Sequence, residues 1–378
     1  MGTSNFRASV FLAGLTAAVF TGSANGISFS IDGLSPEFTV GIQGVAGAGV
    51  IAPGDIYTPV ASFAGVGLTP VAPPGVLTIN LPGEVNALSF GRAPASFSAN
   101  HPASFSLDRG SAGVVGTASA NEFNGAGLGS EQSSDIFRSV YNNSNTLFGD
   151  GDGVSQFGNP NPAGFPLNVG ETATYPFPPQ PPIPPSNSSD LDALDLRFSP
   201  SAGGGGPPSP TGRIFLSVDA STAGSLGFSA GDVLVDPSGL GTANPNFYAS
   251  SAILGLVGPN DIDALVVYDD GDNIFQPGTD IVLFSLAPGS AYLGQLDPIT
   301  GLAITEGDIL IDGASAQLLL GSLSPNAAIL HTAESLGLRT TRAGLAGNDN
   351  LNALDVPEPA TGLLLFVTAS AVLRRTRC

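Results

Sequence analysis

Leu216-Ser217-Val218-Asp219, Gly231-Asp232-Val233-Leu234, Gly255-Leu256 and Ile262-Asp263-Ala264-Leu265 follow one another in this order within a stretch of the chain that holds no long apolar run. Each piece is short, β-branched or aliphatic, and bounded by Gly, Pro, Asp or Asn, which is how short strands separated by tight turns read. The same order of pieces recurs along the chain. Upstream are Phe29-Ser30-Ile31-Asp32, Gly54-Asp55-Ile56-Tyr57, Gly67-Leu68 and Val85-Asn86-Ala87-Leu88, then Phe105-Ser106-Leu107-Asp108, Asp135-Ile136-Phe137 and Leu191-Asp192-Ala193-Leu194. Downstream are Phe284-Ser285-Leu286, Gly307-Asp308-Ile309-Leu310, Gly337-Leu338 and Leu351-Asn352-Ala353-Leu354. Four ordered recurrences define four copies, about 27–91, 103–197, 213–269 and 280–355, within one all-β body spanning 27–355.

Each copy offers a Phe-Ser strand, an Asp-Ile strand, an Ala-Leu strand and a further strand at the Gly-Leu element. Four-stranded units repeated radially leave only short edges, so the expected fold is a four-repeat β-propeller, with a β-sandwich or an open β-repeat array as the alternatives. The chain opens on a Phe-Ser strand and finishes on an Ala-Leu strand, so the first copy can supply the neighbour the last one lacks. This layout resembles hemopexin-type four-bladed propellers, whose repeats open with an Asp-Ala strand followed by an aromatic strand. The chain departs from that family's aromatic-rich signature in having no Trp. The Gly-rich stretch 203–208 is read as a long hairpin loop rather than a domain boundary, and the Pro-rich stretch 175–185 as a further loop.

Composition agrees with a loop-rich β body. Among 378 residues there are 51 Gly and 32 Pro, only 11% are charged, and 42% are hydrophobic, enough to bury a core. All 11 basic residues are Arg, set against 31 acids, for a formal charge of -20. Nucleic acid and anionic lipid are poor partners for such a chain, and cations are natural ones. The one cysteine is Cys378, so no disulfide framework or thiolate pair exists.

Both ends carry addresses. Residues 1–26 place Arg7 before an apolar stretch from Ala8 to Phe20 and small residues at Gly22 and Ala24, the plan of a Sec signal helix cleaved after Ala24. At the other end, Val356-Pro357-Glu358-Pro359 precedes an apolar run over 360–373, expected as a hydrophobic helix, and then Arg374-Arg375-Thr376-Arg377. That run is short of the roughly 20 residues that cross a bilayer at ease, and the arginines would hold it as a temporary anchor. Triplet, apolar segment and basic end together make 356–378 similar to the PEP-CTERM sorting signal of exosortase substrates. The resemblance implies cutting near Pro357–Pro359 by an integral membrane peptidase, and an exopolysaccharide-making Gram-negative host. A plain tail anchor is the alternative.

Candidate chemistry is confined to oxygen ligands. Asn86, Asp192, Asp263 and Asn352 stand at one position of the four copies, just before Ala-Leu. Around an axis they would form a ring suited to a hard cation such as Ca²⁺. Asp and Asn at strand entrances equally serve to cap turns. Asp55, Asp135, Asp232 and Asp308 precede an apolar strand each time and are read as turn-fixing. Two loops, Asp150-Gly151-Asp152-Gly153 and Asp269-Asp270-Gly271-Asp272-Asn273, alternate carboxylates with glycine as Ca²⁺ loops do, without the full EF-hand spacing. Only His101 and His331 are available for histidine-based catalysis, and the scattered acids single out no glycosidase pair. The expected function is a non-enzymatic, exported cell-surface or matrix protein associated with exopolysaccharide or biofilm. Its rivals are a calcium-dependent carbohydrate-binding or adhesion protein and, behind that, a secreted hydrolase.

Overall fold

The structure is a computed structural model that describes residues 27–32, 55–62, 65–72, 84–90, 103–108, 111, 117–119, 132–139, 145–151, 165–166, 190–197, 213–236 and 245–356. The first blade holds β1 (Ser28–Ile31), β2 (Ile56–Ser62) and β3 (Gly65–Ala72). The second holds β4 (Val85–Ser89), β5 (Ala103–Leu107), β6 (Ile136–Ser139), β7 (Asn145–Asp150) and β8 (Phe165–Pro166). The third holds β9 (Ala193–Arg197), β10 (Arg213–Ser217), β11 (Val233–Asp236) and β12 (Asn246–Ala249). In the fourth are β13 (Ile262–Tyr268), β14 (Ile281–Leu286), β15 (Ile309–Ile311) and β16 (Ala328–His331). The final strand, β17 (Leu351–Asp355), returns to the first blade and pairs antiparallel with β1, with Ser28 opposite Asp355 and Phe29 opposite Leu354. The protein is a four-bladed β-propeller whose ring is closed by its last strand.

The Ala-Leu strands β17, β4, β9 and β13 are the innermost strand of each blade and pack on one another around the axis. Blades therefore begin at Ala-Leu, so each sequence copy counted from Phe-Ser straddles two blades. The core lies in the four seams between blades. Ala87 of one inner strand meets Leu194 of the next, Ala193 meets Leu265, Ala264 meets Leu354, and Ala353 meets Leu88. A small residue on one face and a large one facing it let the inner strands approach the axis without a void, which is why the dipeptide repeats. The aromatic position follows the same rule: Phe29, Phe105, Leu216 and Phe284 are all buried in the seam with the preceding blade. Of the neighbouring serines, Ser106 and Ser217 bond within their own blades, to Ser133 O at 3.2 Å and Ala230 O at 2.9 Å, and the other two work the opposite seam. Ser30 donates to Val85 O at 2.7 Å and Ser285 to Leu351 O at 2.8 Å, each the entrance of the next blade's inner strand.

The turn-fixing aspartates act through the backbone. Asp232 accepts from Ser229 N and Ser251 N at 2.9 and 3.0 Å, and Asp308 accepts from Thr305 N and Ala333 N, both at 2.8 Å. Each holds the entrance of the third strand against the short helix that follows the fourth. Those helices, α2 (Ser251–Leu254) and α4 (Ala333–Leu336), correct one expectation. The Gly-Leu elements at Gly255 and Gly337 are their left-handed C-caps, with φ of 89° and 87°, and not strands. Only Gly67-Leu68 lies in a strand, β3. An earlier helix, α1 (Ala220–Leu226), is N-capped by Asp219 after β10. A further turn of helix, α3 (Gly313–Ser315), runs into a π-helical turn, Ala316–Leu320, between β15 and β16. The Gly-rich stretch falls in the β9–β10 hairpin connection, since Arg213 pairs Arg197 across it. The signal segment, the Pro-rich stretch and the tail beyond Val356 lie outside the described residues. Among the described residues no helix is long and apolar enough to cross a membrane.

Candidate functional site

All four inner strands run the same way along the axis, so their entrances gather at one mouth and their ends at the other. At the entrance three of them, β4, β13 and β17, carry a β-bulge. Val85 pairs Leu107 while Ala87 pairs Ser106, leaving Asn86 as the extra residue. Asp263 between Ile262 and Ala264, and Asn352 between Leu351 and Ala353, are left over in the same way. Asp192 stands just before β9, its N–H donating to Ser217 O at 3.2 Å, and Ser217 also pairs Ala193. A bulge re-aims the extra side chain, here out of the pairing pattern and toward the axis.

Three of the four residues expected as a ring are joined by hydrogen bonds. Asn352 Nδ2 donates to Asn86 Oδ1 at 3.0 Å, and Asn86 Nδ2 donates to Asp192 Oδ1 at 3.2 Å, linking three blades in turn. Asp263, from the fourth, is among the carboxylates that push Asp192 up. All four residues are buried.

A second tier, missed in the sequence, sits two residues earlier: Glu84, Asp190, Asp261 and Asn350. Asn86 Nδ2 also donates to Asp190 Oδ1 at 3.2 Å. The backbone of this tier is gripped by hydroxyls from the turn after the second strand. Ser111 Oγ accepts from Glu84 N at 2.6 Å, Thr222 Oγ1 from Asp190 N at 3.0 Å, and Ser290 Oγ from Asp261 N at 3.0 Å. The signal was there in the constant spacing to Ala-Leu, masked by the change of residue type among Glu, Asp and Asn.

Electrostatically the mouth is one-signed. Burial, followed by Asp190, Asp261, Asp263 and Asp219, raises Asp192 well above the usual carboxylate range. Burial also raises Asp263, with Asp261, Asp32 and Glu84 adding to it against a hydrogen bond from Asn350. Asp261 is pushed up to about 6 by burial, opposed by its hydrogen bond with Asp192. Asp261 Oδ1 and Asp263 Oδ2 are buried and accept no hydrogen bond, although Asp263 is only 5% exposed. Buried acceptors left in this state are costly unless a proton or a cation meets them. Carboxylate and amide oxygens are the donor types a hard cation such as Ca²⁺ takes, but among the described residues the three acids whose ligand oxygens come within reach of one ion are Asp269, Asp270 and Asp280, and not Asp192, Asp261 and Asp263.

The other candidates separate. Asp269 and Asp270 come together with Asp280, ligand oxygens within 4.8 Å of one another, although Asp280 was not foreseen. Asp269 is already held by Arg213 Nη1 at 2.6 Å, and Asp280 accepts from Gln276 N and Asp270 N. Asp272 turns away to cap its own loop at Ile274 N, 2.9 Å. Asp150 ends β7, while Asp152 lies outside the described residues. Of the sorting residues only Val356 is described; Pro357, Glu358, Pro359, Arg374, Arg375 and Arg377 are not.

The opposite mouth is tied by side chain to backbone bonds between blades. Asp195 accepts from Val267 N at 2.8 Å, Ser89 Oγ from Leu196 N at 3.1 Å, and Asp355 from Phe90 N at 3.1 Å. Arg197 lies 3.4 Å from Asp195 and over the Tyr268 ring. The fold and its acidic axial mouth thus define the class, a four-bladed propeller with a carboxylate-lined axis. No protein-family model matches the chain, and no curated protein or solved structure is significantly similar to it.

Proposed function

We propose that the chain is an exported cell-surface or extracellular-matrix protein, trimmed at its C-terminal tail by an exosortase-type membrane peptidase, that serves as a non-enzymatic scaffold associated with exopolysaccharide or biofilm. The observation that supports this most is where the propeller places its buried acids. Asp195, Asp232, Asp297, Asp308 and Asp355 all accept backbone N–H groups that join strands, caps or blades. Carboxylates used in this way stiffen a body without disulfides, as an extracellular scaffold requires. The test is fractionation of cells expressing the full chain beside a variant with Pro357, Glu358 and Pro359 changed to Ala. The scaffold reading expects the trimmed protein in the extracellular polymer fraction and the variant retained uncut at the membrane; equal cytoplasmic recovery of both sinks it.

A second reading, calcium-dependent carbohydrate binding or adhesion, is favoured by Asp263 Oδ2 and Asp261 Oδ1, buried without a hydrogen bond at a mouth of carboxylate and amide side chains. It expects Ca²⁺ to raise the melting temperature relative to EDTA and to retain the protein on polysaccharide, and Asp263→Asn to remove both effects. An unchanged melting temperature with Ca²⁺ rejects it.

A further inference from the structure

Three connections close over the seam between the third and fourth blades. The first, 250–260, leads from β12 to β13; the second, 287–304, follows β14; the third, 313–327, lies between β15 and β16. They are fastened to one another. Ala291 N donates to Pro259 O at 2.9 Å, Ala327 N to Gly255 O at 3.1 Å, and Tyr292 Oη to Ala327 O at 2.8 Å. Asp297 accepts from Ile329 N at 2.7 Å and, within its own turn, from Ile299 N at 3.2 Å. A Cβ on Gly255 would stand 2.5 Å from Ala327 N, so the close approach of the first and third connections depends on that glycine. Underneath, Leu254, Leu256, Tyr292, Ile304 and Ala327 belong to the buried cluster of this seam, which fixes the surface above it.

The outward side of this surface is apolar. Seven of the nine large hydrophobic side chains that are exposed among the described residues lie on these three connections, so they form a patch rather than a scatter. Ile253 and Val257 stand on the first, Leu296, Ile299 and Leu302 on the second, and Leu323 on the third, with Leu296 70% and Leu323 99% exposed. The same stretches contain one acid and no base. That acid, Asp297, is buried and spent on backbone N–H groups. At one edge Arg342 donates to Ala303 O at 2.6 Å, but its charge is met by Asp308 and Glu334. Charge returns at Asp261, where the acidic mouth begins.

We propose that this uncharged face is a self-association surface, on which a second copy of the chain docks by the same face across a two-fold axis. The occupant follows from charge. A chain with a formal charge of -20 is repelled by its own kind, and two copies approach most easily where neither presents a charge. An isologous contact of face on face then takes Leu296 and Leu323 of both copies out of water. A basic partner would select the acidic mouth instead, and a polysaccharide laid on aliphatic side chains would lose water from its hydroxyls without replacement. Because the connections are fastened before any contact is made, little order is lost on docking. The inference is independent of the export and sorting reading.

The experiment is sedimentation equilibrium of the full chain at low and high sodium chloride, in EDTA so that calcium bridging of acidic mouths does not contribute. Beside the parent run Leu323→Glu, the double variant Leu296→Glu with Leu323→Glu, and Ile274→Glu as control, an exposed position on the loop after β13. The proposal expects the parent to be a dimer whose dissociation constant falls several-fold at high salt, as the acids flanking the face are screened. Leu323→Glu, at a side chain with no packing to lose, weakens the dimer several-fold; the double variant is monomeric with an unchanged melting temperature; Ile274→Glu behaves as the parent. A parent that is monomeric throughout overturns the proposal, and so does a dimer that survives the double substitution, which places the contact elsewhere in the chain. A monomeric parent that floats with phosphatidylcholine vesicles, when the double variant does not, assigns the face to lipid and overturns it as well.

Discussion

Asn352, in the last strand of the chain, donates from Nδ2 to Oδ1 of Asn86, in the first strand of the second blade, at 3.0 Å. Asn352 Nδ2 also reaches Val85 O at 3.3 Å, and Asn86 passes the chain of hydrogen bonds on to Asp192. The closing strand is therefore locked from the axis as well as through its pairing with β1. Replacing Asn352 by Ala leaves Asn86 Oδ1 short of a donor in a buried site, while Val85 O keeps Ser30 Oγ at 2.7 Å, and urea unfolding is expected to show a loss of about 1–3 kcal/mol.

The seams should respond to volume. Leu265 fills the space beside Ala193, and Leu265→Ala opens a cavity between the third and fourth blades. The expected loss is about 2–5 kcal/mol by chemical denaturation. Ala193→Leu overfills the same seam, with an expected loss of about 1–3 kcal/mol. If the two changes combined restore more stability than their sum predicts, Ala193 and Leu265 are a complementary pair.

Asp232 and Asp308 hold equivalent turns, yet only Asp308 also binds Arg342, with Nη2 at 2.6 Å from Oδ1, and Arg342 in turn reaches Glu334 at 2.9 Å. Asp232→Asn is expected to cost about 1–3 kcal/mol, and Asp308→Asn about 1.5–3 kcal/mol more, because a part-buried guanidinium loses its main partner. Equal losses at the two positions would show that the ion pair contributes nothing.

Asp355 is pushed up to about 8, first by burial, then against the hydrogen bond from Phe90 N, with Asp195 raising it and Arg197 lowering it. Its Oδ2 accepts no hydrogen bond. The folded state thus holds a proton that the unfolded chain gives up near the ordinary carboxylate value of about 4. Stability from this group is full below about pH 4 and is lost as pH rises through 8. Asp355→Asn should flatten that part of the melting temperature profile and raise the melting temperature relative to the parent at pH 8.

At the acidic mouth, Ca²⁺ in hundredfold excess over its Kd should stabilise the protein by about 2.7 kcal/mol. Changing Asp192 and Asp263 together to Asn should abolish this, while Asp272→Asn, on the opposite side of the fourth blade, should leave it intact. Calorimetry of the three proteins distinguishes the axial ring from the Asp269 loop.

Fold and ring were legible because both repeat for a packing reason. Ala-Leu recurs since every inner strand needs one small and one large face, and Asn86, Asp192, Asp263 and Asn352 recur since each stands at the entrance of an inner strand, all but Asp192 as the extra residue of a bulge. The phase of the repeat was not legible, because a periodic pattern carries no mark of where a blade begins. Helices α2 and α4 are four residues each, too short to show a helical period, so in the sequence their Gly caps read like strand residues. Asp280 is not legible as a partner because nine residues of hairpin lie between it and Asp270, and only the β13–β14 pairing brings them together.

The strand that completes the first blade, β17, is also the last of the described strands, more than three hundred positions after β1. A chain delivered N-terminus first emerges with β1 lacking its inner neighbour until nearly all of it has passed. Locking the ring is thus among the last events of folding: the propeller is able to shut only once Leu351–Asp355 can reach Ser28–Ile31.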